Sequence, residues 1–593
     1  MANVGFVRQL LGKIPLALLA FGALTMTHIE SAHVLAQTIP DAGSLLRQQQ
    51  QNQPPALSHE IPGTLPPEEN RPTLSSIAGK RIHVNGFQVT GSVALFPDEE
   101  FKGLLKSYTD RDLTLAEIQE AAGAVTRYYR EHGYFLARAY VPKQEIANGV
   151  VIIAVIEGRI EGKSDGSGIV VKGDGVRLDP ERIRGIAAAA VHPGEPVNQD
   201  ALERGVLLLN DLPGITAKSG LEQGHEPGST KLTIDTQEGP LVSGTVSADN
   251  FGSRYTGQFR TNAGANLNDP FGRGDILSLN STFSTNGGLK YLRGDYHAPV
   301  GDDGLKLGAS LSGMSYELGQ ELTSLNASGW AMTVEGSAAY PIVRTRAENL
   351  TAQANYDHKI LYNRAAGATT SDKRLDSVSV GLVGDATDSL GSGGVNQATL
   401  TATYGRLDLG NWQADAANDA ATARTAGRYA KLQYSLGRIQ RLDDSLNLFI
   451  GGSGQFSNKN LDSSEKFQLG GASGLRAYPS GEAAGDSGHK LTAELRWELP
   501  IDPGLLPTPQ VVGFYDHGWI CQNNSPWAAS GQSNCYTLKG AGVGLNMVKT
   551  GSFELRASYA LKIGGNPGAS AQGLDSDGTN KRGQYWLQFS MWF

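Results

Sequence analysis

The sequence predicts a transmembrane β-barrel of about 16 antiparallel strands, preceded by a short helix and two small α+β repeats. Three observations carry that expectation. The chain ends on alternating residues, with Tyr585, Leu587, Phe589, Met591 and Phe593 on one face and Gln588 and Ser590 on the other. An apolar edge strand at the end of a soluble chain invites aggregation, whereas a barrel turns the same row to lipid. Second, period-2 segments recur from Gly239 onward and many reach about ten residues, the length that a tilted membrane strand needs and soluble sandwiches rarely use. Third, no run of about 18 apolar residues follows the N-terminal segment, so helices do not carry the crossing. A mean hydropathy of −0.27 agrees, because polar lumen positions dilute every strand.

The first segment, 1–36, reads as a signal peptide. Arg8 and Lys13 precede the apolar stretch Ile14 to Met26, and Val34-Leu35-Ala36 offers a small-residue cleavage site; the stretch is too short for a comfortable single span. A short helix follows within 37–52, from Asp41 through the glutamines, with Leu45 and Leu46 as its only apolar face, so it needs a partner surface. Residues 53–78 are proline-rich and weakly hydrophobic and read as an extended linker, or as a tail without function.

The span 79–162 then shows a strand from Ile82, a helix from Pro97 to Lys106, a second helix capped by Thr114 and ended by Gly133, and a β-branched strand from Val150 to Ile156. The order strand, helix, helix, strand recurs over 163–239, with Ile169 to Val171, Pro180 to Val191, Asn198 to Leu209 and Lys231 to Ile234. These are two copies of about 75 residues related by pattern rather than identity.

In 240–593, Leu491, Ala493, Leu495 and Trp497 interleave with Thr492, Glu494 and Arg496, and Phe553, Leu555 and Tyr559 with Glu554, Arg556 and Ser558. Those charges cannot face lipid cheaply and line a wet lumen. Short connections such as Gly301 to Gly304 and Arg441 to Asp444 alternate with long ones such as Asp408 to Gly427 and Gly564 to Arg582. Short turns belong on the periplasmic side, which by parity also places the two repeats there.

Within the long connection Asn460 to His489, the cluster Leu475, Arg476, Ala477 and Tyr478 stands among glycines. It reads either as a plain surface loop or as a segment folded back into the lumen, where Arg476 needs a carboxylate. Phe514 and Asp516 point inward on one strand, and an aspartate at membrane depth normally has a positive partner. Cys521 and Cys535 flank an outer loop; outside the cytoplasm such a pair reads as a disulfide rather than a metal site. His517 stands beside Asp516, but no nucleophile accompanies them, so no catalytic, cofactor or metal residues are assigned and the protein is not read as an enzyme. The net charge of −8 speaks against nucleic acid as a partner.

These motifs resemble the outer-membrane transporters of two-partner secretion, the haemolysin secretion/activation family. Leu475 to Tyr478 is similar to the family's in-folded loop motif, usually valine-arginine-glycine followed by tyrosine or phenylalanine, with Leu475 and Ala477 departing at the first and third positions. Phe514 and Asp516 match its F-x-D barrel-wall motif, and Asp249 to Gly257 resembles its first hairpin. The repeats resemble polypeptide-transport-associated (POTRA) domains. The resemblance implies a plug helix in the resting barrel, an Arg476–Asp516 pair, and Phe593 as a signal to the barrel-assembly machinery. It also implies a pore in the lipid of the outer membrane that recognises an unfolded exoprotein in the periplasm and exports it without a cofactor. The cargo would be a large secreted adhesin, cytolysin or similar protein. The alternatives are a barrel-assembly factor and a gated nutrient channel.

Overall fold

The computed structural model describes residues 39–51, 81–91, 95–162, 166–173, 175–226, 228–501, 507–527 and 533–593. The expected signal peptide and the linker lie outside the described residues. The chain opens with α1 (Ala42–Gln51). The first α+β unit holds β1 (Ile82–Val84), β2 (Gly86–Gly91), α2 (Asp98–Leu105), β3 (Arg111–Leu113), α3 (Leu115–Glu131), β4 (Arg138–Tyr140) and β5 (Val150–Ile156). Thr114 and Glu117 form a reciprocal capping box at the start of α3, which satisfies two of its free backbone N–H groups. The helices cover a sheet ordered β2-β5-β4 through Phe101, Val125, Tyr129 and Ile153.

The second unit holds β6 (Arg159–Ile160), β7 (Ile169–Lys172), α4 (Pro180–Val191), α5 (Gln199–Asn210), β8 (Ile215–Gln223) and β9 (Ser229–Glu238). Its core joins Ile183, Ile186, Leu202 and Leu209 to Leu232 and Ile234. The strands β3, β4 and β8 are additions to the sequence pattern. The first two are only three residues long, too short to show a period, and β8 mixes Lys218, Ser219 and Gly220 into its run.

Among the described residues, sixteen antiparallel strands close into a barrel. They run from β10 (Val242–Asp249) to β20 (Leu446–Ser457) and from β23 (Ser487–Glu498) to β27 (Gly583–Trp592), with the small pair β21 (Phe467–Gln468) and β22 (Ala484–Gly485) between them. Closure joins β10 to β27 with Val246 opposite Met591 and the backbones of Gly244 and Phe593 exchanging hydrogen bonds of 2.9 and 3.0 Å. The apolar row of β27 faces outward with Leu495, Trp497, Tyr515 and Tyr559, and the charged positions between them face the lumen.

One hairpin departs from the expected rhythm of long outer loops. β16 (Glu348–Ala365) and β17 (Ala368–Asp388) are joined outside by Ala366 and Gly367 alone. The length has gone into the strands, which continue their ladder past the thickness of a membrane instead of breaking into a loop.

The second α+β unit is docked on the short turns. Arg344 pairs with Asp211 at 2.6 Å, Arg182 with Asp302 at 2.9 Å, and the Asp179 N–H donates to Gly272 O at 3.2 Å. The two units meet where Gln199 N–H donates to Gly133 O at 2.8 Å.

The seam sets a clear steric test. A Cβ on Gly244 would lie 2.6 Å from Gly264 O and 2.4 Å from the Phe593 ring, whereas Gly313 on β14 (Lys306–Glu317) has nothing within 4 Å. Gly244→Val is expected to reduce the fraction of heat-modifiable, folded barrel on semi-native gels. Gly313→Val is expected to leave it unchanged.

Candidate functional site

The lumen is filled by two inserted elements, α1 and the connection between β20 and β23. Asp41 caps the start of α1: its carboxylate accepts Ser44 N–H at 2.8 Å while its carbonyl accepts Leu45 N–H at 3.1 Å. Leu45 and Leu46, each 2 % exposed, bury their faces against Leu289, Tyr291, Met314 and Tyr316 on the inner wall. Burying such side chains contributes about 1.5–3 kcal/mol each. Ala42 N–H donates to Asn363 Oδ1 at 2.9 Å, and Gln49 Oε1 accepts from Arg260 at 3.3 Å. Gly43 permits the closest approach: a Cβ there would sit 2.3 Å from Ser463 Oγ and 2.8 Å from Ser464 N.

The inserted loop grips that helix and the wall together. Gln468 donates to Ser44 O at 3.2 Å, Arg47 to Lys466 O at 3.3 Å, and Ser463 Oγ to Asp41 at 2.7 Å. The base of the loop carries acids into wall bases. Glu465 pairs with Lys359 and Lys431, both at 2.7 Å, and Asp462 pairs with Lys373 at 2.8 Å. Asp462, Glu465, Lys359 and Lys431 are buried and Lys373 largely so, and each charge depends on its partner.

At the apex the polarity reverses. Arg476 binds Asp516 through Nε at 2.9 Å and Nη2 at 2.7 Å, and its backbone N–H adds a third bond at 3.1 Å. Nη1 reaches Glu494 at 2.7 Å, and the guanidinium lies 3.4 Å from the centroid of the Phe514 ring. Asp516 is 0 % exposed and also accepts Thr492 Oγ1 at 3.0 Å. Glu494 in turn binds Arg496 at 2.7 Å.

Leu475, Ala477 and Tyr478 are fully buried in the same cluster as Phe514. Ala477 stands where the resembling motif has glycine, and the wall makes room with Gly540: the two Cβ positions would be 2.5 Å apart were Gly540 an alanine. Tyr478 Oη donates to Lys539 O at 3.3 Å, and Trp586 Nε1 donates to Arg476 O at 2.8 Å. Ser480 Oγ donates to Phe251 O at 2.8 Å, so the loop touches the first hairpin and the last strand at once.

The structure thus brings together Leu475, Arg476, Ala477, Tyr478, Phe514 and Asp516. It joins Cys521 to Cys535 by a disulfide between register partners on β24 (Gln510–Cys521) and β25 (Cys535–Lys549). Phe593 lies apart, at the β10–β27 seam.

Sequence reasoning missed Glu494 as a second partner of Arg476, although it assigned that residue to the lumen. The missing signal was register, since Glu494 opposes Phe514 and Thr492 opposes Asp516. It also missed the buried pair of Arg260 and Asp249, at 2.9 Å, inside the hairpin it did single out. Among the described residues no group of three His, Cys, Asp or Glu could hold a metal ion.

Comparison with known proteins adds a family to this geometry. The model described as haemolysin secretion/activation protein ShlB/FhaC/HecB matches residues 228–547, and a ShlB-type POTRA model matches 82–158. The chain is 27 % identical over 549 residues to the heme/hemopexin transporter protein HuxB of Haemophilus influenzae, covering 92 % of this chain and 95 % of that one. It is 24 % identical over 537 residues to the outer membrane transporter CdiB of Escherichia coli, covering 87 % of each. The solved structure of CdiB from Escherichia coli superposes with a TM-score of 0.73 at 21 % identity, over 94 % of this chain and 100 % of that one, which establishes the shared fold.

Breaking the apex pair strands a charge in a site where removal of one partner costs about 3–5 kcal/mol. Asp516→Ala is expected to expose the loop to trypsin at Lys466 and Arg476 while the barrel keeps its heat-modifiable mobility. Arg476→Lys should open the same loop at Lys466, because an ammonium cannot reproduce the two-pronged contact. Full protection in both variants would show that the pair does not hold the loop.

Proposed function

Since this chain belongs to the haemolysin secretion/activation protein family, it is an outer-membrane transporter of the two-partner secretion type with its N-terminal domains in the periplasm, and we propose a mechanism by which its lumen opens for the cargo. The observation that carries the mechanism is the seat of α1, a short helix held inside the barrel by a few hydrogen bonds and two leucines. Withdrawal of such a helix vacates a column about 10–12 Å across, wide enough for an extended chain and too narrow for a folded domain.

The exported protein arrives unfolded and meets the periplasmic units first. β2 and β8 each pair with a single neighbour among the described residues, β5 and β9. Their open edges suit β-augmentation by an extended segment, where main-chain bonds supply affinity and side-chain pockets supply selection. The second unit is tied to the barrel turns by Arg344–Asp211 and Arg182–Asp302, so a segment bound there is handed to the lumen mouth. Folding of the cargo at the cell surface then draws the remainder through, and no nucleotide is consumed. The cargo is a large secreted exoprotein of the adhesin or cytolysin kind. Arg476, Asp516 and Glu494 serve as the clamp that keeps the loop within the wall during passage. Assembly of the barrel itself by the resident machinery would read the terminal Phe593.

Removing residues 41–51 is expected to raise ion conductance in planar bilayers several-fold, with unchanged conductance overturning the plug assignment. Arg476→Ala and Asp516→Ala are each expected to impair secretion of the cognate exoprotein with the barrel still inserted. The charge swap Arg476→Asp with Asp516→Arg should recover part of it. The full-length transporter in nanodiscs should retain an unfolded N-terminal fragment of its cargo over unrelated unfolded chains. Equal retention would instead support a barrel-assembly factor.

A further inference from the structure

One side of the outer wall carries a feature that export does not use. Between β17, β18 (Gly394–Asp408), β19 (Gly427–Arg441) and β20, outward positions leave a groove of about 630 Å³. Ala402 and Ala430 give it a low floor, and Val378, Tyr404, Leu432 and Phe456 form its walls. Phe456 is held upright by stacking on Tyr434, with centroids 6.1 Å apart.

One step nearer the cell exterior, the same outward positions become charged, with Arg374, Arg406 and Arg428 beside Asp372, Asp376 and Asp408. Arg406 on β18 and Arg428 on β19 are direct register partners, and Arg374 lies above them on β17. Like charges placed directly opposite across a ladder destabilise it unless an anion sits between them. All three are exposed, and none makes an ion pair or hydrogen bond with another described residue. The acids on this face take their hydrogen bonds from other groups, although Asp376 also attracts Arg406; Asp372 accepts Asn411 Nδ2 at 3.3 Å. Asp376, opposite Arg406, accepts Tyr356 Oη and His358 Nδ1, both at 2.8 Å, and Asp408, opposite Arg374, accepts Gly410 N–H at 2.8 Å. Arg428 has no acid as a register partner.

The height of this rim identifies what would meet it. From the periplasmic end of β18 at Gly394 to Arg406 the strand rises about 12 residues, roughly 40 Å along its length, or ~28 Å along the membrane normal at a tilt near 45°. The apolar band of such barrels is about 25 Å tall, so the groove lies among outer-leaflet acyl chains and the arginines lie at their headgroups. Tyr404 and Phe456 occupy the level where aromatic girdles form.

We propose that this groove and its arginine rim bind a phosphorylated glycolipid of the outer leaflet, with an acyl chain over Ala402 and Ala430 and a phosphate between Arg406 and Arg428. Guanidinium groups bind phosphate through paired hydrogen bonds, which supplies the anion that the register pair lacks. The site would fix one face of the barrel to the outer leaflet while the opposite seam, β10 to β27, stays free of it.

The test uses the full chain in nanodiscs of phosphatidylethanolamine and phosphatidylglycerol, titrated with bisphosphorylated lipid A and read by native mass spectrometry. The double variant Arg406→Gln/Arg428→Gln should bind lipid A at least tenfold more weakly, and Ala402→Leu/Ala430→Leu, which fills the groove, should weaken it comparably. Lys290→Gln, an outward cation on β13 (Leu289–Pro299), should leave it unchanged. Wild-type protein with dephosphorylated lipid A tests the same contact without any substitution and should also lose at least tenfold. Equal lipid A binding by the arginine variant, or equal binding of the dephosphorylated lipid, would overturn the proposal. So would competition by inorganic phosphate or phosphatidylglycerol at equal concentration, since the rim would then be a general anion site.

Discussion

A backbone in hydrocarbon has no water to pair with, so every N–H and C=O in the membrane must find a partner in the next strand. The rest of this molecule follows from that constraint. It demands closure of the sheet, and closure here falls on β10 and β27, the first and last strands made. Their ladder spans Thr245 to Asp249 on one side, while β26 (Phe553–Lys562) and β27 match from Phe553 through Leu561. The shorter seam is supported from within. Trp586 on β27 holds the carbonyl of Arg476, and Ser480 on the same loop holds the carbonyl of Phe251 just beyond β10. The loop that narrows the lumen is therefore also a bridge across the weakest ladder.

Charge decides how that loop sits. At its base the loop supplies the acids Asp462 and Glu465 and the wall supplies Lys359, Lys373 and Lys431. At its apex the loop supplies Arg476 and the wall supplies Asp516 and Glu494. Any shift of the loop would take Arg476 from its carboxylates and Asp462 and Glu465 from their lysines. Because buried charges cost several kcal/mol when unpaired, one seating is favoured over all shifted ones. The crossed polarity thus specifies position, which a uniformly apolar contact would not.

The sequence displayed the barrel well because one face of every strand must be apolar and the other need not be; Leu491 to Leu499 and Tyr585 to Phe593 could hardly be anything else. The helices were equally plain where a cap was explicit, as at Thr114. Arg476 and Asp516 could be matched because each is chemically out of place, a cation among glycines and an acid at membrane depth. Glu494, Lys359 and Lys431 were not matched. They occupy ordinary inward positions, and only the register between strands brings them to the loop. The base of the loop, Asp462 to Glu465, reads in sequence as a polar turn, and nothing local says that it meets buried lysines.

The two inserted elements differ in what holds them, and this orders their release. α1 contains one ionisable residue, Arg47, which donates to a backbone carbonyl; its other bonds reach the neutral Asn363 and Gln468 and the Arg260 guanidinium. Neutral hydrogen bonds are worth about 0.5–1.5 kcal/mol each net, since water replaces them on departure. Two such bonds, two more with an arginine as donor, and two leucines keep the helix in place without making its exit prohibitive. The loop instead carries five carboxylate–cation contacts at its base and apex, largely buried, and none of those charges can leave its partner cheaply. A strand of cargo entering from the periplasm therefore displaces the helix first and meets a loop that is still clamped. Passage along the vacated column then needs no break in the wall or in the ion pairs that steady its seam.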